Sequence, residues 1–261
     1  MPLDLVTVPC LTDNYAFVIH DAETGATGIV DVPEAAPLLA VLSERGWRLT
    51  DVLLTHHHSD HVDGLKDLLA GLPEDVAVDV AVWGAEADSH RLPPLALAVA
   101  EGQTHMFGNQ KVRVMDVSGH TVGHVAFHIP GAGLAFTGDS LMAMGCGRLF
   151  EGTPAQMWRS LEKFSALPEE TLICSGHEYT TSNMRFARAL EPQNEALIFR
   201  EEEIERAREA GLPTVPSTLA LERRTNPFLR AADPALKSAI GMPDAAPEQV
   251  FAEIRGRKDR F

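Results

Sequence analysis

Residues 53–64 read LLTHHHSDHVDG, and four of the chain's eleven histidines fall within six positions of it: His56, His57, His58 and His61, with Asp60 among them. Clustered histidines belong either to a tag-like tract or to a metal site. The flanks favour the second reading. DVLLT (51–55) is a short apolar run of the kind that forms a buried strand, and VDGLKDLLAGL (62–72) carries apolar residues at helical spacing. A strand-to-helix turn bearing H-x-H-x-D-H is a place where ligands can converge.

The same arrangement recurs along the chain. VRVMDVSGH ends on His120, GLAFTGD on Asp139 and TLICSGH on His177, each a ligand-type residue placed after an apolar strand and preceded by glycine. Glycine lets the backbone turn sharply and approach a site closely. His56, His58, Asp60, His61, His120, Asp139 and His177 make seven candidate ligands. One tetrahedral zinc cannot use seven. Two ions can, with three ligands each and one bridging carboxylate. Imidazole with carboxylate suits zinc first, with iron and manganese as alternatives. His57 alternates with the ligands and is expected to point away and support the loop. His124, four residues after His120, is expected to be a structural hydrogen-bonder.

The 261 residues and 45 % hydrophobic content suit a globular protein with a full core. The formal charge of −15 argues against a nucleic-acid partner, and an anionic substrate would need a local basic pocket. Neither an apolar run long enough to span a membrane nor a signal peptide is seen, so no membrane partner is expected. Cys10, Cys146 and Cys174 form no C-x-x-C pair, which suits a reducing compartment, and a cytoplasmic location is expected.

Strand-like and helix-like runs alternate through the first two-thirds, indicating an α/β protein. DVAVDVAVW (75–83) reads as one strand, and TPAQMWRSLEKFSAL as a helix capped by Thr153. After His177 the chain becomes helical, with a break near Pro192. A catalytic α/β domain over 1–177 and a helical substrate-binding domain over 178–261 are expected.

THHHSDH, SGHTVGH, TGDSL and SGHEYT resemble the metallo-β-lactamase superfamily. GCGRLFEGTPAQMWRSL and the long stretch EPQNEALIFREEEIERAREAGLPTVPSTLALERRTNPFLR resemble glyoxalase II, the hydroxyacylglutathione hydrolases. The likeness covers nearly the whole chain, and PTVPSTL and TNPFLR make it specific. It implies an αβ/βα four-layer sandwich followed by a C-terminal helical domain. His56, His58 and His120 would hold one metal, Asp60, His61 and His177 the other, and Asp139 would bridge them. Asp60 and Asp139 would also act in catalysis, Asp60 by orienting the attacking hydroxide. The implied reaction is hydrolysis of an S-(2-hydroxyacyl)glutathione, typically S-D-lactoylglutathione, by hydroxide generated at the two metals. Arg148, Tyr179 and Arg230 would hold the glutathione. Phe150 stands where some relatives have tyrosine. Asp233 stands where some have lysine, with Lys237 four residues beyond. A monomer is expected.

Two alternatives compete with this reading. One is another dinuclear hydrolase of the same superfamily, acting on a different thioester, a lactone or a phosphodiester. A β-lactamase would lack the bridging carboxylate, so Asp139 argues against it. The other is a non-enzymatic module holding a structural metal, for which an open bridged pair is a poor design.

Overall fold

A computed structural model describes residues 3–261, which form two compact units. The first comprises the residues up to Asp116 together with Val122–Gly138; the second comprises Val117–Thr121 and Asp139–Phe261.

In the first unit, β1 (Asp4–Cys10), β2 (Asn14–His20) and β3 (Thr27–Val30) form an antiparallel meander. The chain then crosses through α1 (Ala35–Arg45) to β4 (Asp51–Leu53), parallel to β3. Three short helices follow: α2 (Ser59–Val62), α3 (Leu65–Gly71) and α4 (Glu74–Ala77). β5 (Ala81–Ala85) and β6 (Leu97–Val99) complete a six-stranded sheet in the order β1 to β6. β7 (Thr104–Phe107), β8 (Gln110–Asp116), β9 (Val125–Ile129) and β10 (Leu134–Gly138) form a second antiparallel meander. The two sheets share a core, in which the rings of Phe17 and Phe136 lie 5.5 Å apart. β8 alternates, with Val112 and Val114 buried between exposed Lys111 and Arg113, as a half-covered strand should. β2, β9 and β10 are covered on both faces and read as nearly continuous apolar runs.

DVAVDVAVW is not one strand. Its first half is the helical turn α4, and only Ala81–Ala85 pairs. Val76 is buried while Val78 is 73 % exposed. Residues two apart share a face in a strand but not in a helix, so the alternation misled. Pro73 before the turn, with Glu74 and Asp75 in it, supplies a favourable helix start.

The second unit contains the hairpin β11 (Leu141–Met142) and β12 (Gly145–Cys146), α5 (Pro154–Ser165), β13 (Leu172–Ser175), α6 (Thr180–Leu190), α7 (Glu195–Glu209), β14 (Ser217–Thr218), α8 (Leu219–Thr225), α9 (Pro234–Ala239) and α10 (Pro247–Arg260). Thr153 caps α5 through a reciprocal pair with Gln156. Phe186, Phe228 and Phe251 are fully buried and pack ring to ring. Residue 177, where the sequence suggests a boundary, lies within this unit, whose hairpin and β13 belong with the C-terminal helices.

Candidate active site

The loop after β4 carries the first set of candidate ligands, and its geometry is set by Asp31. This buried residue follows β3 with a left-handed φ of 57°. Its carboxylate accepts from the Thr55 N–H at 2.8 Å, from the Thr55 hydroxyl at 2.8 Å and from His61 Nδ1 at 2.8 Å. A carboxylate can only accept, so His61 Nδ1 carries a proton, and in the neutral ring the lone pair is on Nε2. The Thr55 hydroxyl has given its one hydrogen to Asp31. It therefore accepts from His56 Nδ1 at 3.0 Å, which in the neutral ring puts the lone pair on Nε2. That nitrogen lies 3.2 Å from His58 Nδ1. Two ring nitrogens so close either share a proton or face a common cation. Asn14 holds Asp60, donating to its carboxylate at 3.1 Å and its carbonyl at 3.0 Å. The Asp60 carboxylate is 3.8 Å from His61 Nε2.

His57 turns away from these groups and bonds the buried Asp88 at 2.9 Å, as its alternation with the ligands implied. Arg91 grips the same carboxylate. His124 stacks on His56, ring centroids 4.6 Å apart.

In the second unit, His120, Asp139 and His177 come together from three separate strand ends. Asp139 Oδ2 lies 3.5 Å from His120 Nε2 and 3.3 Å from His177 Nε2, and all three residues are buried. Charge-assisted hydrogen bonds close to about 2.7–2.9 Å, so these groups are spaced wide of direct pairing, as donors around an ion would be. His120 Nδ1 lies 2.8 Å from the carbonyl oxygen of Arg148. The carbonyl can only accept, so Nε2 again holds the lone pair. A methyl group on Gly147 would stand 2.0 Å from the Asp139 carbonyl oxygen, so only glycine admits this approach.

The donors fit a divalent ion: imidazoles, of which His56, His61 and His120 have Nδ1 engaged by an oxygen acceptor, plus carboxylates. The cysteines do not compete. Burial pushes the Cys10 thiol up to about 12 and that of Cys146 up to about 11, and raises that of Cys174 as well.

The three residues expected to hold substrate have different fates. Tyr179 is partly exposed and stacks on His177 at 4.6 Å, and the Arg148 side chain is exposed. Arg230 is buried and gives two hydrogen bonds to Glu191 and two to Asp233. Its guanidinium is engaged by these two carboxylates, whereas the sequence expectation set it against the substrate. A basic pair lies on α10. Lys258 bonds the Ser182 carbonyl at 3.1 Å, one turn beyond Tyr179, and Arg255 bonds the Cys146 carbonyl at 2.9 Å. Burial, Arg255 and Arg148 together lower the Lys258 ammonium to about 8. Among the described residues Asp259 is the carboxylate paired with these cations, 2.9 Å from Arg255 and 3.9 Å from Arg148. Three cations against one carboxylate form a locally positive patch on a chain of charge −15. Arg255 and Lys258 are three apart, hence on one helical face. That spacing was a legible signal. Asp31, which follows an apolar strand as the other acidic candidate Asp139 does, was another.

Residues 23–177 match the family profile described as the metallo-beta-lactamase superfamily, and residues 178–261 that described as the hydroxyacylglutathione hydrolase C-terminus. A hydroxyacylglutathione hydrolase of Cereibacter sphaeroides is 64 % identical over the full length of both chains. Among solved structures, ETHE1 from Myxococcus xanthus superposes with a TM-score of 0.65 at 21 % identity, covering 98 % of this chain and 90 % of its own. TTHA1623 in a di-iron-bound form gives 0.61 at 26 % identity, covering 87 % of this chain and all of its own. The fold is therefore the metallo-β-lactamase α/β sandwich with a helical C-terminal segment.

Proposed function

The chain belongs to the hydroxyacylglutathione hydrolase family, which makes it a glutathione thioester hydrolase, and on that premise we propose that seven residues hold two metal ions beside a glutathione subsite on α10. His56, His58 and His120 would hold one ion, Asp60, His61 and His177 the other, and Asp139 would serve both. The observation that carries this is the wide spacing of His120 Nε2 and His177 Nε2 about one Asp139 oxygen. Zinc is the first choice, with iron and manganese as alternatives.

When bound, such ions supply Lewis acidity and make water a nucleophile near neutral pH. Asp60, fixed by Asn14, orients the attacking oxygen. Asp31, Thr55 and the Arg148 carbonyl keep the imidazoles in the coordinating tautomer. The departing thiol has an ordinary pKa of about 8.5, so it leaves as thiolate with little need for an acid. Arg148, Lys258 and Tyr179 bind the peptide carboxylates and backbone. S-D-lactoylglutathione is the proposed substrate, and the enzyme acts as a cytoplasmic monomer.

Purified enzyme is assayed for thiol release from S-D-lactoylglutathione, beside a β-lactam and a phosphodiester, with metal content by elemental analysis. Turnover of the thioester alone, with two ions per chain, is expected. Cleavage of either other substrate without the thioester, or a ceiling of one ion after metal supplementation, would overturn the proposal.

A further inference from the structure

The two-residue turn between β11 and β12 satisfies few of its own polar groups. Met144 sits in it with a left-handed φ of 61°. Its N–H donates to Glu222 Oε2 at 2.8 Å. The carbonyls of Met142 and Gly145 both lie 3.0 Å from Asn226 Nδ2. The Ala143 carbonyl accepts from Asn183 at 3.1 Å, and that of Cys146 from Arg255 at 2.9 Å. Four hairpin carbonyls thus end on side chains from α6, α10 and the end of α8. Asn226, Asn183 and Glu222 are buried. Glu222 is itself held by Arg200, by Ser217 at 2.7 Å and by Asn226 at 3.1 Å.

The open end of this hairpin carries the metal donors. Asp139 precedes one leg and Arg148 follows the other. The legs are joined by the Gly147 N–H to the Ser140 carbonyl at 3.1 Å. Arg148 then orients His120 through its carbonyl, and the Phe150 N–H bonds the His120 carbonyl at 3.2 Å.

Resting on the metal reading above, we infer that Asn226, backed by Glu222, is a positioning residue for the metal centre. By clamping the hairpin turn it sets the direction of the Asp139 carboxylate and of the His120 ring. The C-terminal helices therefore order the metal donors as well as the substrate. A buried amide that reaches two carbonyls at once defines where both strands lie, and the shape of the site follows.

The test compares the wild type, Asn226→Ala and Leu236→Ala by zinc titration of the metal-free proteins against a chromophoric chelator, with a thermal melt of each. Leu236 is fully buried in α9 and makes none of the hairpin bonds, so its truncation controls for lost stability. The expected result is a zinc dissociation constant raised about tenfold or more in Asn226→Ala, the scale seen when support for a ligand is removed, and held within about twofold in Leu236→Ala. If Asn226→Ala does not fold, Asn183→Ala, which frees one carbonyl, takes its place and should raise the constant by at least about threefold. Unchanged affinity in the hairpin variant, or an equal loss in Leu236→Ala, would overturn the inference alone. A wild type that takes up no zinc would overturn the metal reading and this inference with it.

Discussion

The Nδ1–H of His120 and the carbonyl oxygen of Arg148 meet at 2.8 Å. Through that bond one residue serves two ends of the site. The Arg148 backbone fixes the tautomer of the proposed metal donor His120, while its exposed side chain belongs to the positive patch with Arg255 and Lys258. The two contributions separate by substitution, because a change of side chain leaves the carbonyl in place.

Arg148→Ala should raise KM for the glutathione thioester and leave metal content unchanged. A charge-assisted contact is worth about 1.5–3 kcal/mol when made to a bound anion. The exposure of this side chain sets the expectation at the low end, roughly tenfold in KM. Steady-state kinetics with elemental analysis reads both, and a loss of metal would refute the separation.

Arg230→Ala should act on stability rather than binding. The substitution leaves Glu191 buried without its cation, and breaking a buried pair costs about 3–5 kcal/mol. Urea denaturation should show that loss, while KM of the folded protein stays within about twofold. A KM raised tenfold with unchanged stability would restore Arg230 to the substrate site.

Lys258 should give substrate binding an alkaline limb. Its ammonium is lowered to about 8, so the positive charge that attracts an anion fades as pH rises through that value. KM should climb above pH 8, and Lys258→Met should flatten the climb. Stability moves the other way. The folded-state value lies below the ordinary 10.5, so between about pH 8 and 10.5 the unfolded chain holds a proton that the folded chain has released. The unfavourable contribution of the buried charge is fully present below pH 8 and is relieved across that window. Denaturation midpoints of the wild type should therefore gain on those of Lys258→Met as pH rises from 8 to 10.5.

Asp31→Ala should weaken metal binding without removing a ligand. The carboxylate orients His61 directly and His56 through Thr55, and loss of such support typically costs about 10–100-fold in metal affinity. Chelator competition measures it. An affinity equal to that of the wild type would show that the two rings are oriented by packing alone.

The seven candidate ligands stand out because their signal is local. An apolar strand, a glycine and a ligand-type residue are contiguous in GLAFTGD and TLICSGH, and the structure puts Asp139 and His177 directly after β10 and one residue beyond Gly176 after β13. Capping is equally local: Thr153 and Gln156 are three residues apart, and the N-terminus of α5 followed from them. The break between α6 and α7 near Pro192 is of the same kind.

What the sequence left undetermined depends on partners distant along the chain. Arg230, between α8 and α9, and Lys258, on α10, are both cations of the C-terminal segment, and neither the residue types nor the local pattern tells what lies opposite. Glu191 stands 39 residues before Arg230 and neutralises it. Arg148, 110 residues before Lys258, instead concentrates charge beside it. The pairing of Asp31 with His61 and of Asn226 with the Met142 carbonyl likewise joins segments 30 and 84 residues apart. A residue type and its neighbours specify what a side chain can do, whereas the burial and charge that decide what it does arise only when remote segments pack against it.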